Sequence, residues 1–161
     1  MPNNTYTLIT PTSFLANFKA VTKMGLSLSV VFSSIAGYLL AAEIVHFPTL
    51  FLLAIGGYFM VGASNVFNQI IERDLDALMT RTKNRPIPTG RMSVSFAFVL
   101  AVILTVAGLS ILYTINERTA MFGAISICLY TSAYTPLKTK TPLSVFVGAI
   151  PGAIPFMLGW V

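Results

Sequence analysis

Two carboxylates one helical turn apart, Glu72 and Asp76, are the residues of this chain best suited to chemistry. One turn before them stands the amide Asn68, and just beyond come the cations Arg81, Lys83 and Arg85. At 100° per residue, with Asn65 at zero, Gln69 falls at about +40°, Glu72 at about −20°, Asp76 at about +20° and Asn68 at about −60°. These five make one polar stripe, with Asn65 and Gln69 as its secondary members. Asp74 lies at about 180°, which assigns it to solvent or to a neighbouring arginine. Two carboxylates with an amide carbonyl suit Mg²⁺, which takes one or two carboxylates and completes its shell with water and phosphate oxygens. The stripe offers neither Cys nor His, so it is a poor Zn²⁺ site. Arg81, Lys83 and Arg85 follow closely enough to fold back over a phosphate, Arg as a planar fork and Lys as a mobile point charge. A helix end with intrahelical pairs and a basic loop is the alternative reading of the same residues.

Such a stripe must be positioned by membrane helices. Of 161 residues 55% are hydrophobic and 9% charged, and mean hydropathy is +0.80. Soluble domains carry roughly 25% charged residues, so the chain reads as an all-α integral membrane protein. Apolar runs predict spans near 21–42, 48–72, 93–114, 119–135 and 142–161. Nine of the ten basic residues (Lys19, Lys23, Arg73, Arg81, Lys83, Arg85, Arg91, Lys138, Lys140, with only Arg118 excepted) fall in alternate loops. The positive-inside rule places those loops, the stripe and the N-terminus in the cytoplasm. The basic excess suits anionic lipid headgroups or an anionic substrate, and nothing points to nucleic acid. For Lys19, Lys23, Lys138 and Lys140, topology alone is a sufficient reading.

The start, Met1-Pro2-Asn3-Asn4-Thr5, lacks a basic n-region or presequence arginines, which favours a bacterial inner membrane. Cys128 stands alone and is assigned to packing. His46 reads as an interfacial residue on the opposite side. Gly25, Gly37, Gly56, Gly57 and Gly62 are expected to allow close helix approach. Pro151 and Pro155, one turn apart, are expected to break or kink the fifth span. Pro86, Pro88 and Gly90 stop the second helix and shape a turn.

A diphosphate at the mouth of an apolar bundle points to an isoprenoid substrate with its tail between helices. Metal and cations would stabilise the departing diphosphate, and a dry pocket would protect the carbocation left behind. Phe67, Tyr130 or Tyr134 could face that cation, although membrane packing also accounts for them. A transporter or channel half is the alternative from another class, but it calls for charges near the midplane rather than at one edge. A non-catalytic membrane subunit leaves the acidic stripe unexplained.

The pattern Asn68-Gln69-x-x-Glu72-x-x-x-Asp76-x-x-Met79-x-Arg81-Thr82-Lys83-Asn84-Arg85-Pro86 resembles the first acidic motif of the UbiA-type intramembrane prenyltransferases. Many relatives that act on aromatic acids or quinone precursors have Asn-Asp-x-x-Asp at its start. The form here is similar to the heme-farnesylating branch, as are Tyr134-Thr135-Pro136-Leu137-Lys138, Thr141-Pro142 and the Gly148–Trp160 stretch. The resemblance runs from about Asn17 onward. It implies a bundle of about nine spans, with Mg²⁺, farnesyl diphosphate and heme B. The implied reaction is farnesylation of a heme vinyl group with water added, in the pathway of heme A synthase and oxidase assembly. A quinone precursor or chlorin is the alternative acceptor. Carried over by position, Asn68, Glu72 and Asp76 would serve the metal and Arg81, Lys83 and Arg85 the phosphate oxygens. Ser144 stands where family members often have Asn. The second acidic motif has no counterpart here, so residues 1–161 are expected to be the N-terminal part of one transmembrane domain and inactive alone.

Overall fold

Residues that are apolar on every side of a helix cannot be covered by so small a bundle, and the chain leaves them facing outward, as a lipid-embedded protein does. The computed structural model describes residues 13–160, so the N-terminal segment used above to assign a membrane lies outside the described residues. Helix α1 (Phe14–Val21) is followed at once by α2 (Met24–Ala41) and α3 (Phe47–Ile71). A one-and-a-half-turn α4 (Arg73–Leu78) ends in a folded loop, after which come α5 (Val94–Ile115) and α6 (Glu117–Cys128). A π-helical turn (Leu129–Tyr134) and the single turn α7 (Thr135–Leu137) continue α6, and α8 (Ser144–Leu158) closes the described part. Among the described residues there is no strand.

Helices α2, α3, α5 and the α6–α7 unit are each long and apolar enough to cross a membrane, so the chain is a multi-pass membrane protein. The fifth predicted span is shorter than expected: α8 has 15 residues, about 22 Å of helix. Its helix runs unbroken through Pro151 and Pro155, so the prolines do not divide it as the break reading required.

The core lies where α3 crosses α5 and α6, around Leu53, Met60, Leu104 and Leu112. A second cluster, with Val21, Val66, Ile87 and Met92, fastens α1 and the loop after α4 to α3 and α5. Two of the five singled-out glycines do permit close approach. A Cβ on Gly37 would stand 2.1 Å from the Phe156 carbonyl oxygen, and one on Gly56 2.8 Å from Leu112 Cδ2. A Cβ on Gly25 would meet nothing within 4 Å, so close packing does not explain that glycine. Cys128 is exposed, contrary to a packing role, because it ends α6 on its outer side. His46 is exposed and stands at the start of α3, with no side-chain bond to the helix end.

Candidate functional site

Helix α3 delivers the polar stripe to one end of the bundle. The hydrogen-bond ladder survives the bend at Glu72, with Glu72 N–H donating to Asn68 O at 3.0 Å and Asp76 N–H to Glu72 O at 2.8 Å. The one-turn spacing therefore continues into α4. All five stripe residues are buried. Asp74 is not: its side chain is 90% exposed and pairs with Arg73 at 3.4 Å, as the helical angle required.

The stripe divides by partner. Its inner members, Asn65 and Gln69, serve the break between α1 and α2. Asn65 Nδ2 donates to Thr22 O and to Ser27 Oγ, each at 3.2 Å. Gln69 Nε2 donates to Val21 O at 2.8 Å and reaches Ala20 O at 3.4 Å. A helix interrupted inside a bundle leaves carbonyls that must find donors, and these amides provide them.

The outer members, Asn68, Glu72 and Asp76, meet cations. Glu72 Oε1 pairs with Lys138 Nζ at 2.6 Å, and Glu72 Oε2 accepts from Asn68 Nδ2 at 2.8 Å. Asn68 Oδ1 accepts from Lys138 Nζ at 3.2 Å and from Thr135 Oγ1 at 3.3 Å. Asp76 Oδ2 pairs with Arg85 Nη1 at 2.6 Å. Each buried carboxylate is thus neutralised by a cation from a different loop, as a low-dielectric site demands.

The loop after α4 is shaped around Asp76. Buried Thr82 donates its hydroxyl to Asp76 O at 3.1 Å. Pro86, fully buried, turns the chain so that Met92 N–H reaches its carbonyl at 3.0 Å. Gly90 takes a positive φ of 73°, and Arg91 ties the loop through Asn84 O and Thr89 Oγ1. Arg85 is held on Asp76, whereas Arg81 and Lys83 are exposed. Of the three cations grouped by sequence, only Arg85 joins the carboxylates.

Lys138 belongs to the site although its charge alone read as topology. The signal was present at Tyr134 and Lys138, one turn apart, with Lys138 Nζ 5.7 Å from the Tyr134 ring centroid. The π-helical turn sets this register: Thr135 N–H bonds back five residues to Tyr130 O. Lys23 is another of the four lysines for which topology alone was a sufficient reading. Burial, with Arg85 and Lys138 nearby, pushes its ammonium down to about 8, and Glu72 and Asp76 pull the other way. The α1–α2 turn, the α4 loop and the segment after α7 therefore share one end of the bundle, which realises the alternation of basic loops.

An apolar cavity of about 590 Å³ opens beside this cluster between α2, α3, the π-helical turn and α8. Tyr134 joins the two, since it lines the cavity and carries Lys138 over its ring. Tyr130 also lines it, with ring centroids 5.2 Å from Tyr134, as do Ser144 and Pro151. Phe67 is not among its walls. It packs edge-on to Phe98 at 6.0 Å instead.

The donor set fits a hard divalent cation. Two carboxylates and one amide leave most of an octahedron for water and phosphate oxygens. Among the described residues no group of three or more Asp, Glu, His or Cys surrounds a common point. A metal here would need the substrate, or residues beyond these, to complete its shell.

Residues 30–161 match the model of the UbiA prenyltransferase family. The chain is 72% identical over 149 residues to a protoheme IX farnesyltransferase of Christiangramia forsetii, covering 92% of this chain and 50% of that one. It is 68% identical over 152 residues to a protoheme IX farnesyltransferase of Flavobacterium psychrophilum, covering 92% and 51%. The chain therefore spans about half the length of these curated relatives. Its fold resembles that of a digeranylgeranylglyceryl phosphate synthase structure, with TM-score 0.83 at 20% identity over 90% of this chain and 52% of the other. A UbiA homologue from Archaeoglobus fulgidus, solved with DMAPP and Mg²⁺, superposes with TM-score 0.80 at 18% identity over 89% and 53%.

Proposed function

Because the chain belongs to the UbiA prenyltransferase family, we propose that it forms the first half of a heme-farnesylating enzyme, one that transfers farnesyl from its diphosphate to protoheme IX. The observation that carries this reading is the buried Glu72–Asp76 pair, neutralised by Lys138 and Arg85, with Lys138 over the ring of Tyr134, a wall of an apolar cavity of about 590 Å³. High identity to protoheme IX farnesyltransferases supports the choice of acceptor. The Mg²⁺ and prenyl diphosphate held by a structural neighbour support the choice of donor.

Glu72 and Asp76, with Asn68 beside them, would hold Mg²⁺. When bound, that ion supplies charge neutralisation for the diphosphate. Asn68 fixes the carboxylate of Glu72 through its Nδ2, so the ligand is oriented before anything binds. Lys138 and Arg85 neutralise the carboxylates and would turn to phosphate oxygens when the diphosphate binds. Arg81 and Lys83, exposed in the same loop, would close over the diphosphate from the water side.

The allylic C–O bond then breaks, its electron pair leaving with the diphosphate. The vinyl π-electrons of the heme attack the farnesyl cation, and water adds to the resulting cation with loss of a proton, giving heme O. Tyr130 and Tyr134 present ring faces where the allylic cation forms, and the apolar walls keep water from trapping it early. The basic end of the bundle faces the cytoplasm of a bacterial inner membrane by the positive-inside rule, and a heme A synthase would consume the product.

The test uses this sequence carried in a chain of its relatives' full length, expressed in membranes with heme, Mg²⁺ and farnesyl diphosphate. Heme O is expected by mass from wild type, and is expected to vanish in Glu72→Gln and Asp76→Asn. A folded wild type that makes no heme O but prenylates 4-hydroxybenzoate would transfer the reading to a quinone precursor. Activity surviving both substitutions would refute the metal assignment.

A further inference from the structure

Lys23 has the one positive φ of any non-glycine among the described residues, 48° with ψ 56°. A left-handed lysine is strained, and strain persists only where surrounding contacts over-determine it. Those contacts are visible. The three carbonyls just before Lys23, at residues 20, 21 and 22, are the ones that Asn65 and Gln69 grip. Ser27 Oγ adds a 2.8 Å donation to Thr22 O, and Thr22 Oγ1 lies 3.4 Å from Tyr58 OH.

Gln69 makes this grip at a cost. It is fully buried, and its Oε1 has no hydrogen-bond partner. Packing alone would be better met by an apolar side chain of the same length. Gln69 stands three residues before Glu72 on the same face of α3, so the turn it holds brings Lys23 to the end of the bundle where Glu72, Asp76, Arg85 and Lys138 pair. Three cations then face two carboxylates, a surplus of one positive charge. A divalent cation raises that surplus to three, which matches a diphosphate carrying three negative charges.

We propose that Lys23 is a further diphosphate-binding residue, and that Asn65 and Gln69 are positioning residues that lock the α1–α2 turn so that its ammonium reaches the substrate. This deepens the prenyl-diphosphate reading above and rests on it. It also gives the inner half of the polar stripe a function distinct from metal binding.

The experiment measures equilibrium binding of farnesyl S-thiolodiphosphate, a non-ionising analogue, with Mg²⁺, to the full-length protein in nanodiscs. Farnesol serves as a ligand lacking the diphosphate. Lys23→Gly removes the charge while relieving the left-handed strain. It is therefore expected to melt no earlier than wild type, yet to bind the analogue about tenfold more weakly, with farnesol affinity unchanged. Lys23→Arg should recover most of that loss. Gln69→Met, which keeps length and packing, should weaken the analogue by a similar factor and add less than twofold in a Lys23→Gly background. Unchanged analogue affinity in Lys23→Gly would overturn the proposal and leave the prenyl-diphosphate reading standing. Wild type that binds no analogue would remove both. Additive losses from Gln69→Met and Lys23→Gly, or a Gln69→Met chain that fails to fold, would overturn the positioning role by making the amide structural.

Discussion

Replacing Lys138 by Met isolates what the closed ion pair is worth. The substitution keeps the stem and removes the charge that stands 2.6 Å from Glu72 Oε1, where the Glu72 side chain is 9% exposed. Breaking a fully buried pair costs about 3–5 kcal/mol, because it strands a charge in a poor dielectric. Lys138 is 29% exposed, and Glu72 keeps its 2.8 Å bond from Asn68, so solvent and amide offset part of that cost. We expect a loss of about 2 kcal/mol. Glu72→Gln in the same chain removes the stranded charge and should restore most of it. The double-mutant cycle then gives a coupling of about 2 kcal/mol. Equilibrium unfolding of the full-length protein, in lipid–detergent mixtures without divalent ions, measures each corner. Adding Mg²⁺ should stabilise Lys138→Met more than wild type, because the ion no longer competes with an ammonium for Glu72. Additive single effects, or a Mg²⁺ response equal in both proteins, would refute the idea that Lys138 occupies the metal's place.

Four further outcomes follow from other parts of the bundle. Gly37→Ala drives a methyl into the Phe156 carbonyl at 2.1 Å, which must move α2 against α8, and should cost about 1–3 kcal/mol. Gly25→Ala, with open space around its Cβ, should be neutral or stabilising by up to about 1 kcal/mol in the same unfolding assay. Thr82→Val removes the bond to Asp76 O; it should cost about 1 kcal/mol and weaken diphosphate binding by freeing Arg85. Lys23, held at about 8, sets two opposite pH trends. Protonation favours the diphosphate, so analogue affinity should fall as pH rises through about 8, and Lys23→Arg should flatten that slope. Without ligand the charged form is penalised by folding, so Lys23 contributes stability that grows as pH rises from about 8 toward its unfolded value.

The helical angles of the stripe needed only the chain's own periodicity, and they held: five polar residues face inward and Asp74 faces water. What those residues touch was not legible, because the partners are distant in sequence. Asn65 and Gln69 grip carbonyls 43 and 48 residues away, and Lys138 reaches Asn68 across 70 residues. Lys138 and Lys140 carry the same charge in one loop, and it is the approach of α7 to α3 that sets Lys138 on Glu72. The spans were within a few residues because apolar length is a local property. The break at Lys23 was hidden, since no glycine or proline marks it and the donors that allow it come from another helix. Arg81, Lys83 and Arg85 shared a motif, but of the three only Arg85 turns in to Asp76, while Arg81 and Lys83 stay exposed.

The π-helical turn Leu129–Tyr134 has a consequence for how such chains can change. A helix widened by one residue carries an insertion that costs nothing downstream, provided the added rotation has already been absorbed into the contacts that follow. The wide turn takes up that residue, so Thr135, Lys138 and the approach to α8 follow it in ordinary helical phase. Deleting one position between 131 and 133 should let the turn relax to an ordinary helix and leave Lys138 on Glu72. Adding one more residue, with no second wide turn to absorb it, would rotate everything after it by about 100° and swing Lys138 away. Deletion tolerance and insertion tolerance should therefore diverge sharply over these six residues.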